Sequence, residues 1–307
     1  MILSAGLSPA WQRVMLFDDL QHGEVNRARE VFEFASGKVL NTAIGLHHLG
    51  CDVTCLSPVG GTPSAAIRDE FEEMQIDSRW IETQSATRTC ITLLNETAGQ
   101  TTELVENAEP IRAEELSSWI AQFRLLSKEA DLVVFSGSLP AGVPRTILAE
   151  LMAEGDVPFV LDARNEELIS ALPNRPLVIK PNREELGQTV GRELTETSDV
   201  IAAAEELRTR GAQWVIVTDG PRPVIVVGPE VQCQVNVPAV ERIINPIGCG
   251  DSLTAGLSAA LSEGHTLVEA VKWGIACSQQ NLGMLLPARL DRGLMLDDVA
   301  SISVERL

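Results

Sequence analysis

Several motifs that define common protein classes are absent from this sequence of 307 residues. No Gly-x-x-x-x-Gly-Lys-Ser/Thr segment occurs, which excludes a Walker-type phosphate loop. No Gly-x-Gly-x-x-Gly stands at the first predicted strand-to-helix turn, so a nicotinamide-dependent oxidoreductase, although it would share the sheet type, lacks its fingerprint. The six cysteines include no Cys-x-x-Cys pair, and neither a zinc site nor a disulfide framework is indicated.

Positive charge is also scarce, since the formal net charge is −19 at pH 7. Nucleic acids and anionic membrane surfaces require a basic face, so we predict neither as a partner. No apolar run approaches the length of a membrane span and the first residues lack a positively charged segment, so we expect a cytoplasmic protein. An anionic ligand would need positive potential gathered locally from a few Lys or Arg side chains, helix N-termini and a divalent cation.

The sequence does contain a regular alternation of apolar runs and amphipathic stretches. The predicted buried strands are 2–7, 53–56, 132–135, 159–161, 177–179 and 214–217. The predicted helices between them are 42–49, 65–74, 114–126, 146–152 and 201–208. This alternation predicts an α/β fold, with a mostly parallel sheet covered by helices on both faces. Ligands bind such sheets beyond the carboxyl ends of the strands, where the polar segments 136–138, 162, 180–182 and 218–220 fall.

Two segments, 14–34 and 88–106, break this alternation because they contain strand-like residues without a helix between them. The stretches 89–94 and 101–106 are joined by a polar turn that contains Gly99, as in a hairpin. We predict a small sheet, built from insertions 10–36 and 86–108, within one α/β domain of residues 1–307. Such a sheet would serve as a lid that keeps water out of a reaction, and a plain surface hairpin is the alternative.

Residues 245–257 form the most informative segment of the chain. Gly248 and Gly250 permit a bend whose backbone N–H groups converge, and the apolar helix that follows adds its positive end. Asp251 beside this anion seat would take a proton from an attacking hydroxyl while the seat holds a transferring phosphoryl group. The segment therefore predicts a kinase. In the alternative interpretation Asp251 is an ordinary helix N-cap, worth about 1 kcal/mol.

Further segments, in order along the chain, resemble the ribokinase-like (PfkB) family of sugar kinases. They are Leu7–Ala10, Gly23–Arg27, Gly37 and Lys38 with Asn41, Ser136–Pro144, Lys180–Leu186 and the Asp251 segment. The similarity covers nearly the whole chain and is greatest to the branch of 1-phosphofructokinase and tagatose-6-phosphate kinase. It implies a ribokinase-like fold, transfer from ATP to a hydroxyl of a sugar or hexose phosphate, Mg²⁺ as a cofactor, and a lid that also joins a homodimer.

The resemblance also implies roles for individual residues. Asp251 would be the general base, and the N–H groups that stabilise the γ-phosphoryl would be those of Gly248, Cys249 and Gly250. Residues that hold the acceptor sugar or its phosphate would be Gln12, Arg27, Gly37, Lys38, Asn41, Arg88 and Ser138. Residues on the ATP side would be Lys180, Asn182, Thr218, Gly220 and Cys277. Asn182 and Glu185 would hold Mg²⁺, through water.

Some of these assignments have structural alternatives. Asn182 with Glu185 also fits a capping box at a helix start. Cys277 fits a core thiol equally well, and exposed arginines such as Arg27 and Arg88 often bind nothing specific.

The acceptor end departs from the family pattern. Gln12 stands where relatives carry Asp, and Ser36 and Val39 replace glycines, although valine does not adopt a positive φ. These changes predict an acceptor other than the usual ketohexose phosphates. A different sugar and a nucleoside are both among the alternatives. A sugar-phosphate or nucleotide sensor without turnover is the competing hypothesis from another class.

Overall fold

The structure, a computed structural model that describes residues 1–307, contains two β-sheets. In chain order the strands are β1 (Ile2–Ala5), β2 (Ala10–Phe17), β3 (Glu30–Ser36), β4 (Val53–Gly60), β5 (Asp77–Thr83), β6 (Arg88–Asn95), β7 (Gln100–Val105), β8 (Leu132–Ser136), β9 (Phe159–Asp162), β10 (Val178–Ile179), β11 (Trp214–Asp219), β12 (Arg222–Gly228), β13 (Val231–Val235) and β14 (Val304–Arg306). The large sheet has the order β14-β13-β12-β11-β10-β9-β8-β1-β4-β5. Its strands from β11 to β5 are parallel, whereas β12, β13 and β14 extend it antiparallel.

Ten helices surround this sheet. They are α1 (Lys38–His48), α2 (Pro63–Glu73), α3 (Ala113–Leu126), α4 (Ile147–Met152), α5 (Asn165–Ala171), α6 (Arg183–Val190), α7 (Thr197–Thr209), α8 (Cys249–Ser262), α9 (Leu267–Leu282) and α10 (Arg292–Val299). The helices α1, α2, α8, α9 and α10 pack on one face and α3 to α7 on the other. The α/β fold with helices on both faces is therefore confirmed. None of these helices has the combination of length and apolarity that crossing a membrane requires.

The six predicted strands are all present because strands buried on both faces read as continuous apolar runs. Successive residues of β1 show this, since Ile2 belongs to the apolar cluster on one face and Leu3 to the cluster on the other. Helix α1 begins at Lys38, four residues earlier than predicted, because Gly37 turns the chain from β3 into the helix with a φ of 89°. Val39 lies inside this helix and is not among the residues with positive φ, so its replacement of glycine introduces no strain.

The small sheet has the order β3-β2-β6-β7. Strands β6 and β7 form the expected hairpin, with antiparallel pairing from Asn95–Gln100 to Cys90–Val105. The two insertions meet through β2 and β6, which pair in parallel over eight residue pairs from Ala10–Arg88 to Phe17–Asn95. One face of this sheet packs Val14, Phe34 and Leu94 against Leu285 and Leu286, which precede α10. The sheet thus lies against the molecule with one face turned inward.

Candidate functional site

A cleft of about 490 Å³ lies between the inner face of the small sheet and the ends of the central strands. Its lining comes from the residues that follow β8 and β9, from the first residues of α1 and α8, and from β2, β6 and β7. The carboxyl ends of parallel strands are the usual place for ligands in such sheets. Most of the residues that the sequence identified therefore meet in one place.

The start of α8 provides backbone donors to this cleft. Gly248 is its N-cap, with a left-handed φ of 82°, and a Cβ at this position would lie 2.5 Å from Cβ of Pro287. The backbone N–H groups of Gly248, Cys249 and Gly250 donate to no acceptor in the protein, and all three residues line the cleft. Unpaired N–H groups at a helix start, together with its dipole, favour an anion.

Asp251 is the third residue of α8, and the N-cap interpretation is wrong. The N-cap is Gly248, which makes no side-chain cap, and Asp251 instead accepts a hydrogen bond of 2.7 Å at Oδ2 from Nδ2 of Asn41. Asp251 is 7% exposed and lines the cleft. Burial raises the pKa of its carboxyl, and the charge of Lys38 and the bond from Asn41 offset only part of that rise.

A cluster of opposite charges lies next to Asp251. Lys38 Nζ is 2.8 Å from Oδ1 of Asp162 and 3.7 Å from Oε1 of Glu185. Burial alone would lower the pKa of Lys38, but Asp162, Glu185 and Asp251 raise it above the ordinary lysine value. Burial alone would raise the pKa of Asp162, and Lys180 and Lys38 hold it below the ordinary value. Lys38 thus stays cationic in this cluster.

The other predicted acceptor residues occupy the end of the cleft under the small sheet. Gln12 is buried and donates from Nε2 to Oγ1 of Thr92 at 2.8 Å, which leaves the amide oxygen and the second N–H of Nε2 for a ligand. Gly37 and Ser138 line the cleft directly. Arg88 also lines it, but its three guanidinium nitrogens donate to the carbonyl oxygens of Pro9, Glu106 and Ser8 at 3.2–3.4 Å.

Arg27 is not brought into the cleft. It is exposed in the connection between β2 and β3, and no residue of the chain pairs with it. A role in binding a substrate phosphate stays a prediction.

The predicted ATP-side residues fall into two groups. Lys180 is 4% exposed, its Nζ lies 3.2 Å from Oδ2 of Asp162, and a Cβ at Gly250 would be 3.9 Å from the same Nζ. Thr218 forms a bridge with Asn182, and Gly220 follows in a turn with a φ of 56°. Cys277, in contrast, is fully buried in α9 among the core residues, which supports the core-thiol alternative.

Asn182 and Glu185 do form a capping box at the start of α6. Asn182 Oδ1 accepts from the N–H of Glu185 at 2.8 Å, and Oε2 of Glu185 accepts from the N–H of Asn182 at 2.9 Å. Glu185 also lines the cleft, with its other oxygen toward Lys38. No group of three or more His, Cys, Asp or Glu side chains is arranged to hold a metal ion.

Sequence reasoning missed three residues that shape this site. Asp162 pairs with both lysines, and its place at the end of a predicted strand was the available signal. Asn281 is fully buried in α9 and holds the start of α8, since it donates to the carbonyl of Ile247 at 2.8 Å and accepts from Oγ of Ser252 at 2.9 Å. Arg164, two residues beyond the end of β9, lines the cleft and carried no signal of its own.

Known proteins share this fold. The family profile described as "pfkB family carbohydrate kinase" matches residues 11–284. Phosphofructokinase-2 of Escherichia coli, solved with substrates and products, is 26% identical with a TM-score of 0.89, and 98% of each chain is covered. Its complex with fructose-6-phosphate is also 26% identical, with a TM-score of 0.87 over 98% of this chain and 99% of that one.

A further solved structure shows the same fold at lower identity. It is described as a possible 1-phosphofructokinase of Thermotoga maritima, and it is 22% identical to this chain. The TM-score is 0.91, and 100% of this chain and 99% of that chain are covered.

Proposed function

The chain belongs to the pfkB family of carbohydrate kinases, a family of phosphotransferases that act on a sugar hydroxyl, and on this premise we propose that its acceptor is a hexose phosphate. The reaction would transfer the γ-phosphoryl group of ATP, as in the 1-phosphofructokinase and tagatose-6-phosphate kinase branch. The similarity to phosphofructokinase-2 of Escherichia coli, which was solved with fructose-6-phosphate, supports this class of acceptor.

The observation that carries the proposal is the position of Asp251 beside unpaired backbone N–H groups. Its hydrogen bond from Asn41 leaves Oδ1 for the acceptor hydroxyl, and the raised pKa makes the carboxylate a better proton acceptor than an ordinary Asp. The N–H groups of Gly248, Cys249 and Gly250 would stabilise charge on the transferring group, where loss of one such donor costs about 3 kcal/mol. Base and anion seat thus serve the same step.

Lys38 and Lys180 provide the positive charge that the acidic chain must concentrate here. Both contact Asp162, and Nζ of Lys180 lies 3.9 Å from the position that a Cβ at Gly250 would take. We assign Lys180, Asn182, Thr218 and Gly220 to the ATP side. Cys277 would reach the nucleotide only indirectly, through its packing in α9.

Mg²⁺ fits the residues at the start of α6. Mg²⁺ bound to nucleotide phosphates needs only one or two protein carboxylates and keeps several waters, so the absence of a larger ligand cluster is compatible with it. Glu185, whose Oε1 is not used in the capping box, would hold the ion with Asn182, through water. The ion would neutralise charge on the phosphates of ATP.

A coupled ADP-release screen over hexoses, hexose phosphates and nucleosides tests the proposal. We expect saturable ADP release with at least one hexose phosphate, and no release above background with Asp251→Asn. Activity confined to a free sugar or a nucleoside would show that this compound, and not a hexose phosphate, is the acceptor. Saturable binding of a hexose phosphate in calorimetry without ADP release by the wild type would instead favour the sensor hypothesis.

The small sheet would act as the lid, and its outer face would join two copies of the chain. Residues paired across neighbouring strands lie on the same side, which places Met15, Val31, Ile91 and Leu104 together on the outer face. Val31 is 48% exposed and Leu104 is 51% exposed. A contiguous apolar patch of this kind on a protein surface is typical of an interaction site.

Sedimentation tests this dimer. We expect a dimer for the wild type and a monomer for Leu104→Lys. Leu125→Lys, at an exposed apolar position on α3, is the matched control and should stay dimeric. A monomeric wild type, or a dimeric Leu104→Lys, would contradict the assignment.

A further inference from the structure

A second cavity adjoins the cleft and shares two lining residues with it. It measures about 590 Å³ and is bounded by the residues that follow β8, by the start of α5 and by the segment after β7. The two shared residues are Ser138 and Arg164. An acceptor bound in the cleft therefore has room to extend past Ser138, and Arg164 lies where the two spaces meet.

Arg164 differs from the other arginines near the acceptor end because its guanidinium has no partner. No carboxylate lies within 4.0 Å of it, and it donates no hydrogen bond. Arg145, which lines only the second cavity, is 3.6 Å from Oε2 of the buried Glu167. Arg88 already donates to three backbone carbonyls. Arg164 is exposed at this junction, and its five donors are all available.

No acidic side chain near Arg164 balances the charge of its guanidinium. Glu167 is neutralised by Arg145, and the neighbouring Glu166 is exposed to solvent and makes no ion pair.

We propose that Arg164 is a specificity-determining residue that binds the phosphate of the acceptor at the junction of the two cavities. The inference rests on the proposed function, since it concerns the acceptor of the same transfer. A guanidinium recognises phosphate by two parallel N–H···O bonds, and Ser138 supplies a hydroxyl donor at the same junction. The acceptor would thus present its phosphate to Arg164 and a distant hydroxyl to Asp251.

Steady-state kinetics of Arg164→Gln, with a hexose phosphate and the corresponding free hexose as acceptors, test the proposal. Charge-assisted hydrogen bonds are worth about 1.5–3 kcal/mol, which corresponds to a rise in KM for the phosphorylated acceptor of about 10- to 100-fold. We expect kcat within about twofold of wild type and an unchanged KM for the free hexose, because the bond acts on binding. Arg164→Lys, which keeps the charge without the planar fork, should recover part of the loss.

Arg210→Gln is the matched control, because it removes the same charge from an exposed site at the end of α7. It should leave both KM values unchanged. Equal changes in KM for the phosphorylated and free acceptors of Arg164→Gln, or no change in either, would overturn the role of Arg164. If none of the acceptors supports ADP release by the wild type, the proposed function fails. Calorimetric titration of the same variants with hexose phosphates then still decides whether Arg164 binds the phosphate.

Discussion

The two ends of the cleft are built in different ways. At the start of α8 the polar side chains are fixed from several sides, as Asn281 makes four hydrogen bonds and Asp251 is held by Asn41. At the opposite end all residues of β7 are exposed, and Arg164 has no partner. The buried end sets the geometry of phosphoryl transfer, whereas the exposed end is free to vary with the acceptor.

The largest expected effect comes from removing the base at the start of α8, which we call the fixed end of the cleft. Asp251→Asn preserves shape and the contact with Asn41, so ATP affinity should be nearly unchanged, while kcat falls by at least about 10²-fold. Steady-state kinetics and ATP titration measure the two quantities. Near-normal turnover would show that the fixed end is not the place where the proton is taken.

The stability of Asp251→Asn separates this loss from unfolding. The pKa of Asp251 is raised in the folded protein, so wild-type stability falls as the pH rises through the interval between its ordinary and its raised pKa. The variant carries no charge there and should melt at or above the wild-type temperature at pH 7. Below the ordinary carboxyl pKa of about 3.9 the difference should vanish. A lower melting temperature of the variant at pH 7 would contradict this account.

Two glycines of the same bend should respond in opposite ways to alanine. Gly248→Ala introduces a side chain at a positive φ and against Pro287, and should cost about 1–3 kcal/mol of stability. Gly250→Ala is helical and meets only Nζ of Lys180 at 3.9 Å, so stability should be unchanged or higher. Its methyl group would enter the phosphoryl position and lower kcat by about 10²-fold. Normal turnover of Gly250→Ala would place the phosphoryl group elsewhere.

Asn281 tests whether the fixed end depends on its hydrogen bonds. Asn281→Ala leaves the N–H of Ala288 and the carbonyl of Ile247 unpaired, each at a cost of about 1–3 kcal/mol, and should lower both melting temperature and kcat. Ser258→Ala is the control, because Oγ of Ser258 is buried in α8 without a partner and its loss should be neutral. A change in melting temperature without a change in kcat would make Asn281 purely structural.

The smallest expected effect concerns the pH dependence of activity. Lys38 lowers the pKa of Asp251, so Lys38→Met should raise that pKa further and move the acidic limb of kcat/KM to higher pH. Lys128→Met, in the exposed turn after α3, should leave the limb in place. An unchanged limb in Lys38→Met would show that Lys38 does not act on Asp251 through its charge.

The fold and the fixed end could be predicted from sequence because they depend on local patterns. The parallel strands are continuous apolar runs, and the Gly248–Asp251 bend is contiguous in the chain. Strand β5 was missed because its alternating polar residues hide it, and β13 and β14 for the same reason; β12, an apolar run, was not predicted. Asn281 reaches the site through the packing of α9 against α8, which no local pattern records.

The parallel pairing of β2 with β6 has a consequence for engineering. The two strands come from separate insertions, and eight residue pairs join them in one sheet. A chimera that receives only one insertion from another kinase would have to match a foreign partner strand along its full length. Transplanting an acceptor preference into this scaffold therefore calls for exchanging both segments at once.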